Sequence, residues 1–538
     1  MEKNSLTSDQ FRPLTANDFS FHGFEELTTD VEETLQDIGV RSGPLSTTVV
    51  EDAVFVPTTR VALADPGLRR TSITGGLLTR DGQPIDFAQA RRRTTRFGPL
   101  VRGEVVEEMR EQAVVQARRE VDEEVVYLGW LMEHFGHFLS ESLTRTWFLE
   151  EIEPSIKIVY HMKSDFRLSG TAQRILKAFG IPFDRILFLE EPTLLRRVII
   201  PEPLHELHWS IHERMPHKFR EVAAKIVECG ERVSQPVYLS RRLLSSQSRQ
   251  IVGEFELEEI LRENGFHIAY PETMSFEDQV RLFNRHADIF TGTGSAAYNV
   301  LFAFNQPTLH FLTSDVPRQD YFLLPAVCDC PAAYCNCLGR GGRLYSKSTP
   351  LLAQIPQIVD YLETRGFMQK RLRASLVARN ASFQERFDEE WFYATVRRTG
   401  PGGEAFSPQL EDEVFHLARS SWPLSLMLAK YYSVRDTSRV DPLVRQFADL
   451  ASIESDISRL ATYQADVEYA ATRILKNFPA LDTETSTRLA SALADRFLIE
   501  VSDLREKHDN TDNPRPHRRM RRRRTQPTPK STVPDGVQ

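Results

Sequence analysis

Val125-Val-Tyr-Leu-Gly-Trp-Leu131 runs directly into Met132-Glu-His-Phe-Gly-His-Phe-Leu-Ser-Glu-Ser-Leu-Thr-Arg-Thr-Trp147. The apolar run has the length and β-branched content of a buried strand. The segment behind it has the spacing of a helix, with Leu139, Leu143, Trp147 and Leu149 on one stripe. Gly136 marks the strand-to-helix turn. On a regular helix His137 and Glu141 lie one turn apart on one face, and Arg145 follows one turn later. Titratable groups at the carboxyl end of a strand are where open α/β sheets keep their ligands.

Outward from this stretch, strand and helix signals alternate. Strands are expected at Ile156–Tyr160, Arg185–Leu189 and Val198–Ile200, with a helix from Thr171 to Phe179. A helix over Pro216–Gly230 leads to a second series. Its strands are Val237–Leu239, Phe266–Tyr270, Ala287–Thr291 and Thr308–Leu312, the last closing the series. Its helices are Glu254–Asn264, one capped by Ser275 with Asp278 at the capping-box position, and Ser295–Phe302. This rhythm predicts parallel-sheet units. Ahead of it, Thr47–Val56 and Ile73–Leu78 read as hairpin strands with Asp81-Gly82 as a turn, and Arg91–Arg96 reads as a solvated loop. Beyond residue 350 strand signals stop, and successive helices are expected with breaks at Gly400–Gly403, Pro423 and Pro479.

The expected organisation is therefore a polar N-terminal segment (1–45), a Rossmann-like domain with β-hairpins (46–215) and a second Rossmann-like domain (216–350). An α-helical extension (351–510) and a disordered basic tail (511–538) follow. At 538 residues the chain is too long for a single core. With 41% hydrophobic and 26% charged residues it has the composition of a soluble globular protein, and no run of eighteen apolar residues suggests a membrane span. The first ten residues lack the apolar core of a signal peptide, so a cytoplasmic location is expected. The formal net charge is −8; without the seven arginines of Arg515–Arg524 the rest carries −15, which disfavours nucleic-acid binding. The arginine-rich tail itself can touch anionic lipid, giving peripheral contact with the inner face of a membrane.

Three blocks, in order, resemble glycosyltransferase family 61, particularly members linked to capsular polysaccharide synthesis. They are His134–Arg145, Val237-Tyr-Leu-Ser-Arg-Arg242, and Gly265–Phe283 running into Ala287–Phe302. The resemblance implies a GT-B-like α/β fold with two Rossmann-like domains facing across a cleft, inverting transfer from a nucleotide sugar, and no required metal or cofactor. It further implies a glycan or lipid-linked glycan as acceptor. Many relatives carry a histidine where this chain has Thr293.

The residues have their own chemistry. An acceptor hydroxyl needs a base, for which His137 is suited, with Glu141 to orient it or to act itself. A departing diphosphate needs positive groups. Arg241 and Arg242 follow a strand, and Gly292, Gly294 and Ser295 precede a helix whose amide end favours phosphate. Asn299 lies on that helix as a further donor-binding candidate. His134, Arg145 and Thr293 are candidates for the rim of the cleft. The bland alternatives are a buried histidine, an exposed helix pair, surface arginines and a purely geometric Gly turn. Cys328, Cys330, Cys335 and Cys337 are compatible with a structural zinc, with two disulfides or with free thiols, although Cys-x-Cys is shorter than usual zinc spacing. No Asp-x-Asp pair is placed to bridge a diphosphate through a metal. The rival reading from another class is a catalytically inactive, transferase-like scaffold that binds a partner through its helices. A nicotinamide dehydrogenase is weaker still, because the Gly-x-Gly-x-x-Gly fingerprint is missing after the first strand.

Overall fold

The computed structural model describes residues 10–62, 71–94, 98–102, 107–162, 168–228, 232–244, 251–339, 351–368 and parts of 411–453. The chain divides into two compact units, Met1–Trp391 and Phe392–Gln538.

The first unit is mixed α/β and is built on two six-stranded sheets. In the front sheet the order is Ile186–Leu187, Lys157–His161, Arg119–Trp130, Thr193–Pro201, Thr47–Ala62 and Thr71–Leu78. The first four strands are parallel and the last two antiparallel. Along Arg119–Trp130 the side chains alternate between two apolar layers. Val126 and Leu128 enter the main core, while Val125 and Tyr127 enter a second layer with Phe55, Leu195 and Ile200. A strand buried on both faces explains why Val125–Leu131 reads as unbroken apolar sequence.

The rear sheet is parallel throughout, in the order His267–Ala269, Val237–Leu239, Asp288–Gly292, Thr308–Thr313, Ala332–Asn336 and Ser20–His22. Its helices Glu254–Glu263 and Phe276–Arg285 fall where the apolar spacing puts them, and the Ser275 hydroxyl caps the second by accepting from the Asp278 amide. The main apolar core is continuous from Val126 and Ile158 of the front sheet to Leu239, Ile289 and Phe311 of the rear one. Each such side chain contributes about 1.5–3 kcal/mol when fully buried.

Several expectations are corrected. Thr308–Thr313 does not close the series, because Ala332–Asn336 pairs beside it and Ser20–His22 beyond that. Residues 10–45 carry short strands and the helix Thr28–Leu35, whose Val31 and Leu35 are buried. Elements of two or three residues are too short to show a period. The Arg-rich loop is a strand, Ala90–Thr94, paired with Gly98–Arg102. After residue 350 there is still a strand, Leu351–Ala353, before the helix Ile355–Thr364.

In the second unit the helices Trp422–Tyr432 and Val440–Ile453 pack on each other, burying Leu426, Leu428, Val444 and Phe447. Pro423 falls in the first turn of a helix rather than at a break, a position that needs no amide donor. The breaks at Gly400–Gly403 and Pro479, the expected helices over 369–410 and 454–510, and the basic tail lie outside the described residues.

Candidate active site

The chain leaves the front strand at Trp130 and turns into a short helix, Phe135–His137, that widens into a π-helical turn over Phe138–Ser142. The Ser142 hydroxyl accepts from the Met132 amide and ties the turn back to the strand end. Leu139 and Leu143 are fully buried and anchor the turn. On its outer side His137 Nδ1 meets Glu141 Oε1 at 2.7 Å, with the imidazole 35% and the carboxylate 10% exposed. The His134 ring lies 5.3 Å from that of His137. Burial holds the His134 imidazole below its usual range, helped by the charges of His137 and Arg241.

Regular α spacing fails after Glu141. Leu143 leaves helical geometry at φ −101° and ψ 0°, so Arg145 swings into the interior. There it donates to the carbonyls of Pro201 (3.1 Å) and Phe87 (3.0 Å). Arg145 is a buried structural arginine and does not border a cleft.

The rear contribution starts at the end of Val237–Leu239. The Arg241 amide donates to Glu254 Oε1 at 2.8 Å, and its Nη1 donates to the Thr293 carbonyl at 3.1 Å. This lays the guanidinium over the Gly292–Gly294 turn. A β-carbon on Gly294 would come 2.7 Å from Nη1, and one on Gly292 would meet Cδ at 3.9 Å. Gly294 therefore permits the close approach, whereas a β-carbon on Gly292 would make only an ordinary contact. Thr293 holds Arg241 through its main chain, so this contact does not depend on its side chain. Glu254 is buried, and its carboxyl is pushed up by burial against the hydrogen bonds from the Arg241 amide and Tyr238.

Arg242 turns elsewhere. It donates to Glu258 Oε1 (3.1 Å) and to the Tyr270 hydroxyl (3.2 Å), with its guanidinium over the rings of Phe255 and Tyr270. Glu258 is fully buried. Burial alone would raise its carboxyl, but hydrogen bonds from Ser240, Tyr270, Arg242 and Arg262 hold it below the usual range. Asn299 is also fully buried, donating to Gln279 Oε1 (2.9 Å) and the Ala296 carbonyl (3.0 Å). It packs the 3₁₀ helix Ser295–Phe302 against the preceding helix.

The two sets meet. A β-carbon on Gly136 would lie 3.3 Å from Ser295 Cβ and 3.5 Å from Tyr298 Cε2, so the front helix rests on the start of the rear one. The structure thus brings together His134, Gly136, His137 and Glu141 with Arg241, the Gly292–Gly294 turn and Ser295, while Arg242, Asn299 and Arg145 point into structural networks. The sequence did not single out Tyr298, whose hydroxyl proton is held by burial and by the nearby charges of Asp320 and Glu141. Nor did it mark His205, His208 and Asp320, which form a buried cluster behind the site.

The four clustered cysteines are free and buried. Burial pushes the Cys330 thiol up to about 12. Among the described residues no three His, Cys, Asp or Glu side chains are grouped to hold a metal. Cys335 is instead part of the rear strand Ala332–Asn336.

The family model described as Glycosyltransferase 61 matches residues 135–309. This segment is a glycosyltransferase family 61 domain. The chain is accordingly a glycosyltransferase. No curated protein matches the chain. The family 61 domain begins at the turn bearing His137 and Glu141, includes Arg241 and the Gly292–Gly294 turn, and ends within the strand Thr308–Thr313. It therefore draws on both sheets.

Proposed function

We propose that this enzyme transfers a sugar from a nucleotide-sugar donor to a hydroxyl of a glycan or related acceptor, inverting the anomeric centre and using no metal. The observation that carries the reading is the contact of Gly136 with Ser295 and Tyr298, which brings a His–carboxylate pair and an arginine-covered glycine turn into one neighbourhood. The two sheets would serve as the lobes of a GT-B-like pair, the front one presenting acceptor and the rear one donor.

In this reading the His137 Nδ1–H donates a hydrogen bond to Glu141, which leaves Nε2 as the basic nitrogen. The acceptor hydroxyl yields its proton to that base as its oxygen bonds to the anomeric carbon. The bond from that carbon to the diphosphate breaks, and the electron pair leaves with the diphosphate. Arg241 and the amide end of the helix starting at Ser295 supply the opposing positive field. A single displacement of this kind inverts configuration. Surface or capsular polysaccharide is the proposed destination, with the reaction on the cytoplasmic side of a membrane. Among the described residues no helix is long and apolar enough to cross one.

The test pairs binding with turnover. A panel of nucleotide sugars should contain one that raises the melting temperature of the wild type. His137→Ala and Glu141→Ala should each lower transfer from that donor by about 10²–10⁴-fold. Undiminished turnover in both variants removes the pair from the chemistry.

A further inference from the structure

Behind the π-helical turn lies a buried polar cluster that joins the two sheets' elements. Asp320 opens the helix Asp320–Val327, which follows the rear strand Thr308–Thr313 and lies beyond the family 61 match. Asp320 is 2% exposed. His205 Nε2 stands 3.3 Å from Oδ1, and His208 Nδ1 stands 2.8 Å from Oδ2. The His208 amide also donates to Oδ1 at 2.9 Å. His208 adopts φ +66° to make both contacts, a conformation that non-glycine residues rarely take. Taking a carboxylate out of water costs several kcal/mol unless partners surround it. Burial would push the Asp320 carboxyl up, yet the two histidines outweigh it and hold it far below the usual carboxylate range.

The other end of His205 decides what the cluster does. Its Nδ1 donates to the Ser140 carbonyl at 3.0 Å. Ser140 sits inside the π turn, immediately before Glu141. Both ring nitrogens of His205 therefore face acceptors, and the ring stands between a carboxylate of the helix behind a rear strand and the backbone of the front turn. Tyr298, flanked electrostatically by Asp320 and Glu141, packs its ring on Gly136 at the same junction. A π turn, closed by i→i+5 bonds, is rare and falls frequently at functional sites.

We infer that His205 and Asp320 form a latch that sets the turn carrying Glu141 against the rear lobe, making both positioning residues for glycosyl transfer. The inference rests on the role proposed above for Glu141, but the latch is read out separately from the chemistry. Asp320→Asn retains the shape, removes the negative charge and replaces one acceptor oxygen with an amide donor. Hydrogen exchange in peptides spanning 135–146 should speed up several-fold in this variant, with peptides spanning 254–263 unchanged. The transfer kcat should fall about tenfold with donor KM unchanged, and the fall should vanish when Glu141→Gln is already present. His205→Gln, which keeps one donor of two, should shift exchange the same way by less and serves if Asp320→Asn does not fold. Unchanged exchange over 135–146 overturns the latch. An equal loss of kcat in the presence and absence of Glu141→Gln overturns its action through Glu141. Full turnover by Glu141→Gln alone instead sinks the base assignment, whatever the exchange shows.

Discussion

Gly136 and Ser295 approach so closely that a β-carbon on the glycine would sit 3.3 Å from Ser295 Cβ. The helix that carries the His–Glu pair and the helix that follows the glycine turn thus touch through a residue without a side chain. Gly136→Val would drive three carbon atoms into this seam. Overpacking of this kind costs about 1–3 kcal/mol. A lower urea midpoint together with reduced transfer is the expected result, and wild-type values for both would show that the seam has slack.

Gly294→Ala acts on a different contact. Backbone strain is not at issue, because the residue is extended at φ −162°. The new carbon would instead reach to 2.7 Å of Arg241 Nη1, and the flexible guanidinium would be the group that moves. Donor KM should rise by about tenfold, the equivalent of one weakened charge-assisted hydrogen bond. Stability should stay within about 0.5 kcal/mol of wild type. A donor titration and a denaturation curve read the two effects.

Arg145→Lys tests the reassignment of this residue from the cleft to the interior. Lysine cannot bridge two carbonyls with a planar fork, so the carbonyl of Pro201 or of Phe87 would lose its donor. Each buried acceptor left without a partner costs about 1–3 kcal/mol. The unfolding midpoint should fall while donor KM of the folded enzyme holds.

His161 gives the front sheet an acid sensitivity of known sign. Its Nε2 lies 3.0 Å from the Val56 carbonyl and its Nδ1 lies 2.8 Å from the Tyr127 hydroxyl, between the rings of Phe55 and Trp130. Burial depresses the imidazole from 6.5 to about 3, against the pull of hydrogen bonds to Val56 and Gly76. Between those values the unfolded chain binds a proton that the folded chain refuses. The stability contribution is therefore complete above pH 6.5 and is lost as pH falls toward 3, by at most about 1.4 kcal/mol per unit. His161→Phe should flatten the stability–pH slope across that window by up to one proton's worth. An unchanged slope would show that the ring is not the sensor.

How much was legible in the chain depended on the range of the physics. Strands such as Val237–Leu239, and the helix following Ser275, are set by local apolar spacing and capping, and they appear where those patterns put them. Arg145 was misplaced because i,i+4 arithmetic assumes α geometry, and the turn before it is π. Ala332–Asn336 shows no polar alternation to mark it as a strand, because it is buried on both faces. Arg242 and Arg241 are neighbours with the same side chain. Only the structure separates the one over the glycine turn from the one enclosed by Glu258 and Tyr270. His205 and Asp320 lie far apart in the chain and have no motif to join them.

The edge strand Ser20–His22 has a consequence for biosynthesis. Its partner strand ends at Asn336, whose side-chain amide donates to the Gly23 carbonyl across 313 positions. During translation Ser20–His22 has no partner in the rear sheet until Ala332–Asn336 has been made. Completion of the rear sheet is then a late and slow closure. Intermediates that end before Ala332 leave Ser20–His22 without its sheet partner, which makes this strand a natural target for chaperones.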